Sequence, residues 1–378
     1  MRLLVIAPYS IFPMEGGGTI RTVRLAREMS NLGLDVTVIT PFLRGQYRSF
    51  YQQEPFQVVS FHYPFLLQVF TGRPFPFGYL MTIHPGLGFW LKRFFNQFDA
   101  LQFEQSFLAG ILKYVSDQTL VFYNSQNVDF DYVSSECENF RVRSIATGRI
   151  KQAEMSLVKR SAHVFVCSRE DGERMGAIYD LPRAKWTVAA NGVELPDRFA
   201  KDESELLSLY PKLKHFPKRV IFSGSDVPHN RESVQFILEE IAPAIDKHYA
   251  VIIHGGCGKK FCHLRRRNVI FDSRYDNFST WAVPGTIGLN PVEQGSGTNL
   301  KLLHYLTHRL PVISTPFGMR GYDDLIGWVT IVERRQLAET LLKSKLASPP
   351  DPQWLVAKYG WQRIASHMVQ RIQELKAC

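Results

Sequence analysis

"LNPVEQGSGTNLKLLHYLTHRLPVISTPFGMRGYD", Leu289 to Asp323, reads as a strand, a loop with Gly295 and Gly297, a helix beginning near Asn299, and a second strand ending at Thr315-Pro316. Strands separated by helices in this way belong to parallel sheets covered on both faces. A glycine loop running into a helix presents unpaired amides and the positive end of the helix dipole, a ready anion site. Lys301, in the first turn, adds a full charge. A diphosphate suits this arrangement better than a neutral ligand.

The alternation continues on both sides. Arg219–Ser223, Ala250–His254, Val269–Phe271, Thr286–Asn290 and Pro311–Ser314 read as strands, with helices over Glu232–Ala244 and Leu300–Thr307. The first half repeats the scheme with strands at Leu3–Ala7, Val36–Ile39, Ala100–Phe103, Leu120–Tyr123 and Val164–Cys167, and helices such as Arg21–Asn31 and Thr147–Lys159. The chain is therefore expected to be α/β, with two Rossmann-like doubly wound domains over 1–190 and 191–358. The seam is "AANGVELPDRF", where Asn191-Gly192 signals a turn and Pro196 interrupts both strand and helix. Beyond Pro349-Pro350 and Pro352, the residues Trp361, Ile364, Ala365, Met368, Ile372 and Leu375 recur at helical spacing, giving a terminal helix over 359–378.

A second glycine cluster opens the chain. "PMEGGGTIRTVRLA", Pro13 to Ala26, places Gly16, Gly17 and Gly18 between the first strand and the first helix. The dinucleotide fingerprint fails, since its third glycine falls on Arg21, and the Gly-Lys-Ser/Thr of a P-loop is missing. The glycines either turn the chain or let a ligand approach the backbone. Arg21, on the first turn of the helix, is expected to face whatever the loop holds.

Composition narrows the class. A chain of 378 residues with 45% apolar content fits two packed domains, and no stretch approaches the roughly 20 apolar residues of a membrane span. The short N-terminal apolar run carries no cleavage pattern, so the expected location is cytoplasmic. Five scattered cysteines argue against a disulfide framework, and Cys257-x4-Cys262-His263 has no second ligand pair to complete a metal site. A net charge of +10 favours anionic partners. Lys259-Lys260 and Arg265-Arg266-Arg267 lack the interleaved aromatics of a nucleic-acid platform and read as solvated surface.

The Pro-x-x-x-Gly-Ser-Gly-Thr-Asn-Leu-Lys-Leu-Leu run, followed by Leu-Pro-Val-Ile-Ser-Thr-Pro-x-Gly, resembles the donor-binding core of the retaining glycosyltransferases of family four. "APYSIFPMEGGGTIR", "QNVDFDYV", "VAANGVE" and "IFSGSDVPHNRESVQFILEEIAP" are similar, in order, to further segments of that family. The resemblance implies a GT-B fold, with an interdomain cleft and a C-terminal helix returning to an acceptor-side N-terminal domain. It implies a hexosyltransferase that moves a sugar from a UDP- or GDP-linked donor to a glycan or lipid-linked acceptor in polysaccharide biosynthesis, with retention and without metal or cofactor.

Carried over by position, the resemblance implies that Thr298, Asn299 and Lys301 receive the donor diphosphate, within a loop of Gly295, Ser296 and Gly297. Gly16, Gly17, Gly18 and Arg21 would approach the donor from the other domain. Gly224 marks a second strand-to-helix loop, and Arg231, seven residues on, sits where the family keeps a phosphate-binding cation. Gln126 and Asn127 occupy the family's His-Asn, and His304 its ribose-binding carboxylate. Glu293 is a candidate substitute acid, so the catalytic set is Lys301, Arg231 and Glu293. The two substitutions leave a non-catalytic nucleotide- or carbohydrate-binding relative as the alternative, with a same-fold nucleotide-sugar epimerase or phosphorylase as another. The acid-free segment Phe61 to Phe98 either packs its rings in the core or uses Phe89–Phe95, with Lys92-Arg93, as a peripheral edge on the anionic inner face of a membrane.

Overall fold

The computed structural model describes residues 1–40, 48–60, 91–136, 140–197, 203–274, 278–295, 297–343 and 345–377. The chain divides into two compact units, Met1–Ala190 with Trp361–Cys378, and Asn191–Gly360.

The first unit is built on β1 (Arg2–Ile6), β2 (Asp35–Thr40), β3 (Gln57–Ser60), β4 (Ala100–Phe103), β5 (Leu120–Asn124), β6 (His163–Val166) and β7 (Trp186–Val188), in the order β3-β2-β1-β4-β5-β6-β7. Every pairing among them is parallel. Strands such as Leu3–Ile6 and Ala100–Phe103 are buried throughout, as apolar runs covered on both faces must be. Helix Gly17–Asn31 turns Val23, Leu25, Ala26 and Met29 inward, and the terminal helix Trp361–Ala377 packs along it.

The second unit repeats the plan with β8 (Lys218–Ser223), β9 (Tyr249–His254), β10 (Val269–Asp272), β11 (Thr286–Asn290), β12 (Val312–Ser314) and β13 (Thr330–Ile331), in the order β10-β9-β8-β11-β12-β13. Its pairings are parallel as well. The order reverses beside β1 in one unit and beside β8 in the other. Ligands of such sheets bind at these switch points, past the carboxyl ends of the strands.

Short elements depart from the sequence expectation. β3, β7 and β13 carry too few apolar residues to stand out, and Val188 of β7 is 46% exposed. The helix expected over Glu232–Ala244 begins at Pro228 and passes through a π-turn at Ile237–Ile241. That wider turn precedes Pro243, which has no amide to donate and whose ring clashes in a regular helix. Residues 91–95 are helical, with Leu91 and Phe95 fully buried and Phe94 packed against the same core. Leu91 and Phe95 thus belong to the core and not to an exposed edge, Phe94 is half-buried, and Lys92 and Arg93 are exposed. Phe89, Trp90 and residues 61–88 lie outside the described residues. Among the described residues, no helix is long and apolar enough to cross a membrane.

A buried acid pair fixes the loop after β5. Asp129 Oδ2 accepts from Ser106 N at 2.7 Å, Ser106 Oγ at 2.8 Å and Tyr123 Oη at 3.0 Å. Glu154 accepts from Asp129 N and Phe130 N, both at 2.9 Å, and from Tyr179 Oη at 2.6 Å, and its Oε1 lies 2.9 Å from the same Tyr123 hydroxyl, whose oxygen can accept the proton that Glu154 holds. Burial, then the charge of Asp129, pushes the Glu154 carboxyl up to about 8. Burial raises Asp129 as well. Between the ordinary glutamate range and pH 8 the folded state therefore holds a proton that the unfolded chain releases, so stability falls as pH rises through that window. Thermal melts at pH 5 and pH 8 should show this decline in the wild type and a shallower one in Glu154→Gln; equal slopes in the two proteins would remove the assignment.

Candidate functional site

In the second unit, β8 and β11 are neighbours, and the loops that follow them meet. Gly224 follows the first of these strands, and an added Cβ there would lie 2.8 Å from the Asn230 side chain. Asn230, only 4% exposed, donates from Nδ2 to Ser225 O at 3.1 Å and accepts at Oδ1 from Lys301 Nζ at 2.8 Å. The Lys301 ammonium also lies 4.3 Å from the centre of the Phe222 ring. An amide oxygen and a π-face are its close partners, and neither carries a full charge. Burial is the main cause that lowers the Lys301 pKa to about 7, with the charge of Arg320 acting in the same direction.

The loop after β11 uses backbone conformations suited to glycine. Gly295 has φ 119° and Gly297 φ 68°, both in the region that side chains rarely adopt. An added Cβ at Gly295 would meet the His229 ring at 3.3 Å, so His229, from the first turn of helix Pro228–Phe236, borders this loop. Asn299 is the N-cap residue of helix Leu300–Thr307, and its Nδ2 donates outward to Gly318 O at 3.2 Å. No side-chain bond caps this helix end. Thr298 Oγ1 meets Asn191 Nδ2 at 2.8 Å and Tyr322 Oη at 3.3 Å. Ser296 lies outside the described residues.

Arg231 is ion-paired with Asp226 at 3.1 Å on the loop after β8. Glu293 is 3.6 Å from Arg334, which binds Glu232 at 2.6 Å. His304 is one turn beyond Lys301 on the same helix, its ring 4.3 Å from Phe278 and 4.6 Å from His308 between centroids. The residue is exposed, yet desolvation of the ring, then the nearby His308 and His254, holds its pKa below the usual histidine value and favours the neutral imidazole. Cys257 is buried in the core while Cys262 is exposed, and both are free.

In the first unit the glycine run begins a helix. Gly16 is its N-cap residue, with Thr19 Oγ1 donating to Gly16 O at 2.8 Å and accepting from Gly16 N at 3.2 Å. Gly17 is the first helical residue, and Gly18 packs where an added Cβ would run into Gln126 Oε1. Gln126 Nε2 reaches Tyr9 Oη, Thr22 Oγ1 at 3.3 Å and Glu104 Oε2 at 3.2 Å. Asn127 is half-buried, and its carbonyl accepts from Ser125 Oγ. Arg21 corrects the expectation made for it: only 1% exposed, it donates to Ala189 O at 2.7 Å, Ala190 O at 2.9 Å and Asn124 Oδ1 at 2.8 Å. It braces the ends of β5 and β7.

Glu104, Asn230, His229 and Arg320 escaped the sequence reading. Glu104 is fully buried past the end of β4 and collects bonds from Gln102 Nε2 at 2.7 Å, Thr22 Oγ1 at 2.8 Å and Asn124 Nδ2 at 3.1 Å. An acid directly after a buried strand, as in Leu101-Gln102-Phe103-Glu104, was the available signal.

Residues 15–196 match the family described as Glycosyltransferase Family 4. No curated protein sequence matches the chain. Among solved structures, the chain is similar to sucrose-phosphate synthase from Thermosynechococcus elongatus, at 12% identity and a TM-score of 0.72, over 100% of this chain and 99% of that one. It is similar to Anabaena Alr3699/HepE in complex with UDP-glucose, at 12% identity and a TM-score of 0.71, over 99% and 100%. WaaG, a glycosyltransferase involved in lipopolysaccharide biosynthesis, is similar at 16% identity and a TM-score of 0.59, over 97% and 94%. These likenesses establish the fold as the two-unit α/β architecture of GT-B proteins.

The close fit of Gly18 against Gln126 makes a sharp expectation. Gly18→Ala should destabilise the wild type by about 1 to 3 kcal/mol through overpacking. In a Gln126→Ala background the same change should be neutral or stabilising by up to about 1 kcal/mol, because alanine is the better helix former. A double-mutant cycle by chemical denaturation measures the coupling. A Gly18→Ala cost that is the same in both backgrounds would remove the interlock.

Proposed function

We propose that this protein is a glycosyltransferase that moves a sugar from a nucleotide-sugar donor to a glycan or lipid-linked acceptor, with retention and without a metal. The observation that carries the reading is the Lys301 ammonium, held by Asn230 and Phe222 at the switch point of the second unit beside the uncapped start of helix Leu300–Thr307. A cation with no opposite charge in its first contacts, next to helix amides, is matched to a diphosphate. That Alr3699/HepE, of like fold, is found with UDP-glucose supports a nucleotide-sugar as the ligand.

In this reading the diphosphate lies across Thr298, Asn299 and Lys301. The bond from the sugar carbon to the phosphate oxygen breaks, and the electron pair leaves with the diphosphate. Lys301 and the helix amides stabilise that charge as it develops, which is electrostatic catalysis. The acceptor oxygen bonds to the same face of the sugar carbon, and its proton passes to a phosphate oxygen of the leaving group. Arg231 would add a second cation after exchanging Asp226 for phosphate. Glu293, tied toward Arg334, gives no support to a role as the acid. His304 would meet the ribose as a neutral imidazole, giving or accepting single hydrogen bonds. A non-catalytic binding protein is the second reading, favoured by Gln126 being engaged with Tyr9, Thr22 and Glu104.

Titration calorimetry with UDP-glucose, GDP-mannose and ADP-glucose tests donor binding, and release of free sugar from the bound donor tests turnover. Lys301→Met should weaken whichever donor binds by roughly 10- to 100-fold, the worth of a charge-assisted bond. Wild-type affinity should decline between pH 6 and pH 8 as the ammonium loses its proton near pH 7, while the methionine variant stays flat. Binding without turnover would favour the second reading, and failure of all three donors to bind would sink both.

A further inference from the structure

The N-terminal ends of β8, β9 and β10 lie side by side, since Lys218 pairs with Tyr249 and Val269 with Val251. The segments leading into these strands are cationic. Lys218 opens β8 and Lys214 lies in the 3-10 turn Pro211–His215 before it, Lys247 lies just before β9, and Arg265, Arg266 and Arg267 just before β10, and all six are exposed. Lys212 ties two of the segments together, donating to Arg266 O at 3.2 Å and to Val269 O at 2.8 Å. The Arg267 guanidinium lies 6.0 Å from the Phe216 ring centre and the Lys218 ammonium 5.6 Å from that of Tyr249. Glu203 is bound to the buried Arg219, and Asp246 is exposed beside Lys247; Glu205, Glu239 and Glu240 are exposed on the helices that precede β8 and β9.

Like charges gathered on one face repel one another and cost stability. They also sit at the end of the sheet opposite the loops of the candidate donor site, so that site does not account for them. Neighbouring strands are about 4.8 Å apart, so cations from three adjacent segments spread over a surface and do not converge on one small anion. Phe216 and Tyr249 are buried, at 3% and 2% exposure, and so offer no stacking platform for bases. Leu264, 39% exposed beside Arg265, adds an apolar tip that suits a headgroup layer.

We propose that this end of the second unit docks on an anionic lipid bilayer. Each cation near such a surface adds to the attraction, and salt weakens it by screening. The proposal does not depend on the sugar-transfer reading.

Sedimentation of the full chain with vesicles of phosphatidylcholine alone, or mixed with phosphatidylglycerol, tests it. The wild type should bind only the mixed vesicles and leave them at high salt. Lys214→Gln with Arg265→Gln and Arg266→Gln should weaken binding on the order of 100-fold, while melting as the wild type does. Lys92→Gln with Arg93→Gln, on the first unit, should leave binding unchanged. Equal binding to neutral vesicles, full retention of the folded triple variant, release by the Lys92 and Arg93 changes alone, or tighter binding to a single-stranded oligonucleotide than to the mixed vesicles would each overturn the proposal.

Discussion

Parallel pairing is the constraint on which both units depend. A parallel strand cannot return by a tight hairpin, so each must be followed by a crossover that covers a face of the sheet. When successive crossovers change direction, the loops on either side of the first strand separate and leave an opening at the carboxyl ends. In the first unit that opening lies between β1 and β4, and the Gly16–Gly18 run, Glu104 and Gln126 collect there. In the second it lies between β8 and β11, where Gly224, Asn230, Gly295 and Lys301 collect. The candidate residues sit where the topology makes room for them.

The two openings treat charge differently. Around β1, Asn124 joins Glu104 to Arg21, donating to the acid and accepting from the guanidinium, so an anion and a cation are balanced inside the unit. Around β8, the half-buried Lys301 ammonium meets an amide oxygen and a ring face, and its neighbouring charge Arg320 disfavours protonation further. A desolvated cation of this kind gains more from an arriving anion than an exposed one would. The first opening is a brace. The second holds its cation on neutral partners.

Much of this was legible in the sequence where local pattern and burial agree. Ala100–Phe103 and Leu300–Thr307 have the limits their apolar spacing predicts. Helix Gly17–Asn31 starts four residues earlier than Arg21, because a glycine run reads as loop until the Gly16 and Thr19 capping bonds are seen. Side-chain direction was the least legible property. Arg21 has the sequence surroundings of an anion-binding cation, yet it turns toward carbonyls contributed by residues 189 and 190, far along the chain. Asn230 is an ordinary helix residue by composition. Only the adjacency of β8 and β11 brings it to Lys301.

The contact between Gly18 and Gln126 joins two places more than a hundred residues apart into one unit of change. A branched or longer residue at 126 is admitted only while position 18 lacks a side chain, and a side chain at 18 is admitted only once position 126 shrinks or turns away. Drift at either place is therefore conditional on the other. Grafting the opening loop of a relative onto this chain, without the matching segment after β5, would import half of an interlock.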